Sequence, residues 1–291
     1  MYFIGCDLGS TTGKTVVMTQ NDGKMRIAGW SIVPSGLSPN ETAALSIDVA
    51  CERAGITREE SSGICSTGYG RENVDSIEDN VSEITCHAKG AHFLQPTVRT
   101  IIDVGGQDVK AIALGRNGRV VDFAMNDKCA AGTGKFFEAM ARTLRCSVQE
   151  LGDMAMRSTN PVAISSTCSV FAESEVISYI NKGMDRNEIA GGIHESIARR
   201  LFAMVNRVGL KDDVVLTGGC AKNRGLHVAV EQMLGVKLLN LQCDPQINGA
   251  LGAALFAYDG FCEEHPEADA TLGDIADHIA IVGSKCSGCE V

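Results

Sequence analysis

One eight-residue pattern occurs twice in this chain and restricts the possible folds more than any other feature. Its copies, Asp7-Leu-Gly-Ser-Thr-Thr-Gly-Lys14 and Asp103-Val-Gly-Gly-Gln-Asp-Val-Lys110, share an aspartate, an apolar residue, a glycine, four further residues and a lysine. Each copy lies between two short apolar runs of the kind that form strands. The repeat therefore predicts a duplicated α/β fold, in which two β-hairpins hold loops that face each other across a cleft between two domains.

A third glycine-rich segment follows the buried-strand pattern from Val214 to Thr217, and its Gly-Gly turn leads into a helix start at Asn223. Together the three loops resemble the actin, sugar kinase and Hsp70 type of nucleotide-binding fold, in which two hairpins clamp the phosphates and the late Gly-Gly turn receives adenosine. Glycines let backbone N–H groups approach phosphate oxygens, and hydroxyls add further donors. The predicted ATP-binding residues are Gly9, Ser10, Thr11, Thr12, Gly13, Lys14, Gly105, Gly106, Gly132, Gly134, Gly218, Gly219, Lys222 and Asn223.

Four polar side chains in the two hairpin loops are the predicted catalytic residues. Asp7 and Asp103 stand at strand ends, where we expect them to orient the hydration shell of Mg²⁺, an ion that favours oxygen ligands. Gln107 or Asp108 is expected to position the attacking water, and the sequence does not decide between them.

The order of the motifs along the chain predicts two subdomains and a tail. Residues 1–97 carry the first phosphate loop, and residues 98–258 carry the second phosphate loop, two prominent cysteine segments and the adenosine loop. Residues 259–291 lack periodicity and are predicted to form a mobile C-terminal tail. The tail ends in Cys286-Ser-Gly-Cys289, which is half a metal site or a redox pair by spacing, but it has no second pair beside it and receives no role.

Composition excludes some function classes. The chain has 291 residues and a formal net charge of −10, so it lacks the basic surface that nucleic-acid binding requires. Met1 leads directly into a strand pattern and no apolar run has the length of a membrane span, so we expect a cytoplasmic protein without a membrane partner. The 12 cysteines are then expected to be reduced thiols or metal ligands rather than a disulfide framework.

Two cysteines differ from the others in their setting. Cys129, in Asn126-Asp-Lys-Cys-Ala-Ala-Gly, and Cys168, in Ser165-Ser-Thr-Cys, each follow a polar stretch and precede a helical pattern, so each is predicted to open a helix. A helix N-terminus favours thiolate and can hold an anionic cluster. Because a [4Fe-4S] cluster usually takes four thiolates, a two-fold symmetric dimer that supplies both cysteines twice would complete the site.

Three segments make the resemblance more specific. IIDVGGQDVK (residues 101–110), NDKCAAGTGK (126–135) and SSTCSVFAESEVIS (165–178) resemble motifs of the ATP-dependent activators of 2-hydroxyacyl-CoA dehydratases, a family that includes the ATP-binding subunits of benzoyl-CoA reductases. The resemblance covers about residues 2–258. It implies a homodimer with one bridging [4Fe-4S] cluster bound by Cys129 and Cys168 of both subunits, and MgATP, later ADP, in each subunit. It also implies ferredoxin or flavodoxin as electron donor, and an iron-sulfur enzyme acting on a CoA thioester as the activated partner.

Three other functions compete with an ATP-driven activator. The first is an ATP-binding subunit of a benzoyl-CoA reductase, because the chain resembles those subunits as well. The sequence does not identify the CoA thioester on which the partner enzyme acts. A small-molecule kinase of the same fold would need an acceptor pocket with a general base, and it would leave Cys129 and Cys168 unexplained. An actin-like assembly protein would need filament-forming surfaces.

Overall fold

The structure is a computed structural model that describes residues 1–21, 24–77, 79–165 and 168–266. Cys286 and Cys289, with most of the predicted tail, lie outside the described residues. The strands are β1 (Tyr2–Leu8), β2 (Thr12–Asn21), β3 (Lys24–Pro34), β4 (Ser61–Thr67), β5 (Asp79–Asn80), β6 (Thr100–Val104), β7 (Val109–Leu114), β8 (Val120–Asn126), β9 (Val214–Thr217) and β10 (Leu238–Leu239). The helices are α1 (Pro39–Ala54), α2 (Glu83–Leu94), α3 (Gly134–Thr143), α4 (Val148–Ala155), α5 (Ser169–Asn181), α6 (Arg186–Val208), α7 (Arg224–Leu234) and α8 (Asn248–Glu264).

The chain forms two compact units. The first contains Met1–Leu94 and the described residues from Gln242 onward, and the second contains Gln95–Leu241. The predicted division differs at three places: it assigned residues 95–97 to the first subdomain, residues 242–258 to the second, and residues 259–264, the end of α8, to the tail. Helix α8 packs on β1, β4 and α2 of the first unit, because its small residues allow close approach to those elements.

The sheet of the first unit has the order β3-β2-β1-β4-β5. β1, β2 and β3 form an antiparallel meander, whereas β4 and β5 continue the sheet in parallel. Side chains of β1 alternate between the two faces, with Ile4 and Cys6 in the cluster that includes α1, and Gly5 under α8. A Cβ on Gly5 would overlap the backbone of Ala250, so this strand position requires glycine.

The second unit repeats the same arrangement. Its sheet has the order β10-β9-β6-β7-β8, so β6 is central, β7 and β8 complete an antiparallel meander, and β9 and β10 are parallel additions on the other side. Its core joins this sheet to helices α3 to α7. The predicted α/β fold with an internal duplication is therefore confirmed.

Candidate functional site

The first phosphate loop connects β1 and β2. Asp7 and Lys14 are directly paired across this hairpin, and Lys14 Nζ lies 3.3 Å from Asp7 Oδ2. Asp7 is only 3% exposed, yet its Oδ1 has no hydrogen-bond partner in the described part of the chain, and the same holds for the buried Oγ1 of Thr11. Buried polar atoms are normally paired, so these two mark a place that a polar ligand would satisfy.

The backbone of this loop is held tightly while its tip stays accessible. Gly9 N–H donates to the carbonyl of Thr12 at 3.1 Å, and the Ser35 hydroxyl donates to the Gly9 carbonyl at 2.9 Å. Ser10 is exposed, whereas Gly13 is already part of β2 and is buried. A Cβ on Gly9 would lie 2.8 Å from Lys14 Nζ, so glycine at this position leaves room for the ammonium group.

The second phosphate loop carries a buried charge cluster. Asp103 and Lys110 are paired across the β6–β7 hairpin, as Asp7 and Lys14 are in the first unit. Lys110 is fully buried, and its Nζ lies 2.5 Å from Asp108 Oδ2 and 3.4 Å from Asp103 Oδ2. The Thr217 hydroxyl donates to Asp103 Oδ1 at 2.8 Å. The carboxylate of Asp108 thus forms an internal ion pair with Lys110, whereas the Gln107 side chain is exposed.

Two backbone hydrogen bonds join this loop to helix α3. Gly134 N–H donates to the Gly105 carbonyl, and Lys135 N–H donates to the Gly106 carbonyl, each at 2.9 Å. The first amides of a helix have no partner within the helix, and here the phosphate loop supplies the acceptors. The loop and the start of α3 therefore behave as one structural element.

The third loop follows β9 in the second unit. Gly218 has φ +84°, and a Cβ there would overlap the Val104 carbonyl oxygen, so the turn requires glycine. Gly219–Lys222 form a 3₁₀ turn in which Lys222 is exposed. Asn223 caps α7, since its Oδ1 accepts from Leu226 N–H at 3.0 Å. Asn223, which is a predicted nucleotide-binding residue, thus has a structural role as the N-cap of α7.

The two predicted cluster ligands both lie in the second unit, but only one begins a helix. Cys168 is the N-cap of α5, as expected. Cys129 is not at the start of α3, which begins at Gly134. The prediction was wrong here because Gly132 has φ +92°, which α-helical backbone does not allow, and because the first amides of α3 bond to the phosphate loop. Both cysteines are partly exposed.

Seven other cysteines in the described ranges have thiols that are desolvated by burial. Desolvation raises the pKa of seven described thiols and so disfavours the thiolate that binds metal. These thiols belong to Cys6, Cys51, Cys65, Cys86, Cys146, Cys220 and Cys243. For Cys220, within the third loop, burial raises the pKa to about 12, as expected of a small packed residue rather than a metal ligand.

An apolar stripe runs along α5 directly after Cys168. Val170 and Phe171 are 67% and 64% exposed, and Ile177 and Ile180 continue the same helix with substantial exposure. Exposed apolar surface of this kind marks interaction sites.

Sequence reasoning did not identify Thr217 as part of the site. Its hydroxyl reaches Asp103 because β9 lies beside β6 in parallel, with Thr217 directly opposite Asp103. The available signal was the position of a hydroxyl residue at the end of a buried strand, immediately before Gly218.

The chain matches the BadF/BadG/BcrA/BcrD ATPase family over residues 4–257. It is 48% identical over 259 residues to the (R)-2-hydroxyglutaryl-CoA dehydratase activating ATPase of Acidaminococcus fermentans, covering 89% of this chain and 97% of the relative. It is 33% identical over 259 residues to one of the subunits of the benzoyl-CoA reductase of Thauera aromatica, covering 87% and 91%.

Solved structures of other proteins have a similar fold. The activator of the 2-hydroxyisocaproyl-CoA dehydratase from Clostridium difficile, with bound ADPNP, has a TM-score of 0.85 at 42% identity and covers 92% of this chain and 98% of its own. A ROK family glucokinase from Streptomyces griseus has a TM-score of 0.54 at 14% identity over 89% and 100%, a likeness of fold alone. The predicted actin and sugar kinase type of fold is confirmed. None of the helices in the described ranges combines the length and apolar character needed to cross a membrane.

Proposed function

The chain belongs to the BadF/BadG/BcrA/BcrD ATPase family, and on that premise we propose that it is an ATP-hydrolysing one-electron donor that activates a 2-hydroxyacyl-CoA dehydratase. The observation that carries the proposal is the pair of backbone hydrogen bonds between the second phosphate loop and the start of α3. These bonds tie a nucleotide-binding element to the segment that follows Cys129.

The nucleotide part of the proposal rests on the two hairpin loops. In each unit an aspartate at a strand end is paired with a lysine across the hairpin. The unpartnered oxygens of Asp7 and Thr11 fit a hydrated Mg²⁺ ion and a phosphate group, which offer the hydrogen bonds and charge that these atoms lack. In the second unit, Asp103 would likewise orient water of a hydrated Mg²⁺ ion, with the orientation of its carboxylate fixed by Thr217.

Gln107 is our choice for the residue that orients the attacking water. Its side chain is exposed at the tip of the loop, whereas Asp108 is buried and bound to Lys110 at 2.5 Å. An amide group can both donate to and accept from a water molecule, so Gln107 suits the positioning of a nucleophile.

The redox part of the proposal rests on Cys129 and Cys168, whose partly exposed thiols fit the ligand set of a [4Fe-4S] cluster shared by two subunits. When bound, such a cluster supplies a one-electron carrier. The apolar stripe of α5 begins two residues after Cys168, and its burial in a symmetric dimer would place that cysteine at the subunit interface. Ferredoxin or flavodoxin is the proposed electron donor.

Coupling between hydrolysis and electron transfer is proposed to run through the second unit. Movement of Gly105 and Gly106 on hydrolysis would pull on the amides of Gly134 and Lys135, and therefore on the chain that leads back to Cys129. Lowering the potential of one electron by about 300 mV costs about 7 kcal/mol, which is on the scale of one or two ATP hydrolyses.

The test is anaerobic purification followed by iron analysis and ATPase measurement. We expect about four irons per dimer, loss of iron in Cys129→Ala and in Cys168→Ala, and retention of iron in the control Cys262→Ala, which changes another partly exposed cysteine. A colourless protein that phosphorylates a metabolite would show a kinase instead. If the iron persists in both cysteine variants, the assignment of ligands is refuted.

The alternative is an ATP-binding subunit of a benzoyl-CoA reductase type of enzyme, supported by the relative at 33% identity. The activator function is favoured by the higher identity of 48% to an activating ATPase. Mixing with each candidate partner and measuring ATP hydrolysed per product separates them, because a reductase consumes ATP in every turnover and an activator does not.

A further inference from the structure

We propose that His87 is a positioning residue of the ATPase site, which holds a hydrogen-bond donor beside the carboxylate of Asp7. The inference deepens the proposed function and rests on it, since it adds a residue to the same hydrolysis. His87 lies on α2 and is only 3% exposed. It belongs to neither of the phosphate-loop motifs, so the sequence patterns give no reason to place it near them.

Asn248, at the start of α8, fixes the tautomer of His87. The Asn248 side-chain Nδ2 donates to the His87 carbonyl oxygen at 3.0 Å, and because a carbonyl only accepts, this bond sets the orientation of the amide. The same Nδ2 lies 3.2 Å from His87 Nδ1. Nδ1 is therefore the acceptor of the neutral ring, and the proton resides on Nε2.

The Nε2 atom of His87 and the carboxylate of Asp7 approach the same position at the start of α8. A Cβ on Gly249 would be 3.2 Å from His87 Nε2 and 3.2 Å from Asp7 Oδ2, so the two polar atoms flank the same glycine. Glu83 Oε1 lies 3.8 Å from Nε2 and Lys14 Nζ lies 3.3 Å from Asp7 Oδ2. The other oxygen of this carboxylate, Oδ1, has no hydrogen-bond partner in the described ranges, so Asp7 can accept a hydrogen bond from a further polar ligand.

Close packing of α2 against α8 brings these groups together. A Cβ on Gly90 would overlap the backbone of Asn248, and a Cβ on Gly252 would overlap the backbone of Cys86. Only glycines at both crossing points let Asn248 reach the carbonyl and ring of His87. The geometry is thus built into the two helices rather than into a flexible loop.

The tautomer decides what His87 does. Since Nε2 carries a proton in the neutral ring, His87 is a donor and not the general base that accepts a proton from water. Its task would be to donate a hydrogen bond to a water of the magnesium hydration shell that Asp7 orients. Holding that shell in one arrangement favours the transition state without changing the affinity for nucleotide by much.

The experiment compares ATP hydrolysis and MgADP binding by the full-length protein and three variants. His87→Ala is expected to lower kcat about 10- to 100-fold, as loss of one positioned donor does, while KM for ATP and the affinity for MgADP change less than about twofold. His87→Gln keeps a side-chain N–H and is expected to recover most of kcat. His92→Gln, which changes another histidine of α2, controls for a general effect on that helix.

Two results would overturn the inference while leaving the proposed function in place. One is a folded His87→Ala protein whose kcat stays within about twofold of the unmodified chain. The other is equal loss of kcat in His87→Ala and His87→Gln together with equal loss of thermal stability, which would show a purely structural role. Absence of ATP hydrolysis by the unmodified chain would instead refute the proposed function and, with it, this inference.

Discussion

Replacing Lys110 with methionine is expected to destabilise the second unit by about 3–5 kcal/mol. Methionine keeps most of the unbranched apolar side chain but removes the charge, so the carboxylates of Asp103 and Asp108 are left buried without the Lys110 ammonium group. With an effective dielectric constant of about 20, the attraction at 2.5 Å is about 7 kcal/mol and that at 3.4 Å about 5 kcal/mol. The desolvation of Lys110 offsets a large part of this sum, which leaves the smaller net loss.

Amide hydrogen exchange, followed by mass spectrometry on peptides covering residues 99–126, measures this loss where it occurs. Tryptophan fluorescence does not suit the purpose, because the single tryptophan, Trp30, is in β3 of the first unit. Adding Asp108→Asn to Lys110→Met removes one uncompensated carboxylate and is expected to recover at least about 1 kcal/mol.

Lys135→Met is the matched control, since Lys135 forms a half-exposed ion pair with Glu138 at 2.9 Å and should contribute less than about 1 kcal/mol. The reasoning is refuted if Lys110→Met and Lys135→Met lower the free energy of opening by the same amount.

Two further predictions concern the third loop. Gly218→Ala should lower the free energy of unfolding by about 2–4 kcal/mol and weaken nucleotide binding, because φ is +84° and a Cβ would overlap the Val104 carbonyl oxygen. Thermal unfolding measures the first effect and calorimetry the second. Gly235→Ala, at φ +68° with open space around it, should cost only about 1 kcal/mol, and equal losses would contradict the argument. Because burial raises the pKa of the Cys220 thiol to about 12, its alkylation by iodoacetamide at about pH 9 should be at least tenfold slower in the folded than in the unfolded chain, as judged by peptide mass spectrometry. Rapid alkylation in the folded state would show that the thiol is not desolvated.

The sequence predicts the phosphate loops well, because their residues are close together along the chain. An aspartate at a strand end and a lysine seven positions later become direct partners in any tight antiparallel hairpin, and both copies of the pattern do so. The repeat also predicts the duplication, since each hairpin occupies the same place in its sheet.

What the sequence misses depends on partners that are distant along the chain. The start of α3 moved from Cys129 to Gly134 because Gly105 and Gly106 accept its first hydrogen bonds. Thr217 reaches Asp103 only through the neighbouring strand β9, and His87 approaches Asp7 only because α8 crosses α2. Local periodicity contains no information about any of these contacts.

The discontinuity of the first unit has a consequence for synthesis on the ribosome. Its strands are made first, but α8, which covers Gly5 and holds His87 through Asn248, is made after the whole of the second unit. Contacts between such distant segments form slowly, since a long stretch of chain must first be closed into a loop. One face of β1 therefore lacks its partner helix while residues 95–241 emerge, and the half of the protein that contains Asp7 is the last to be completed.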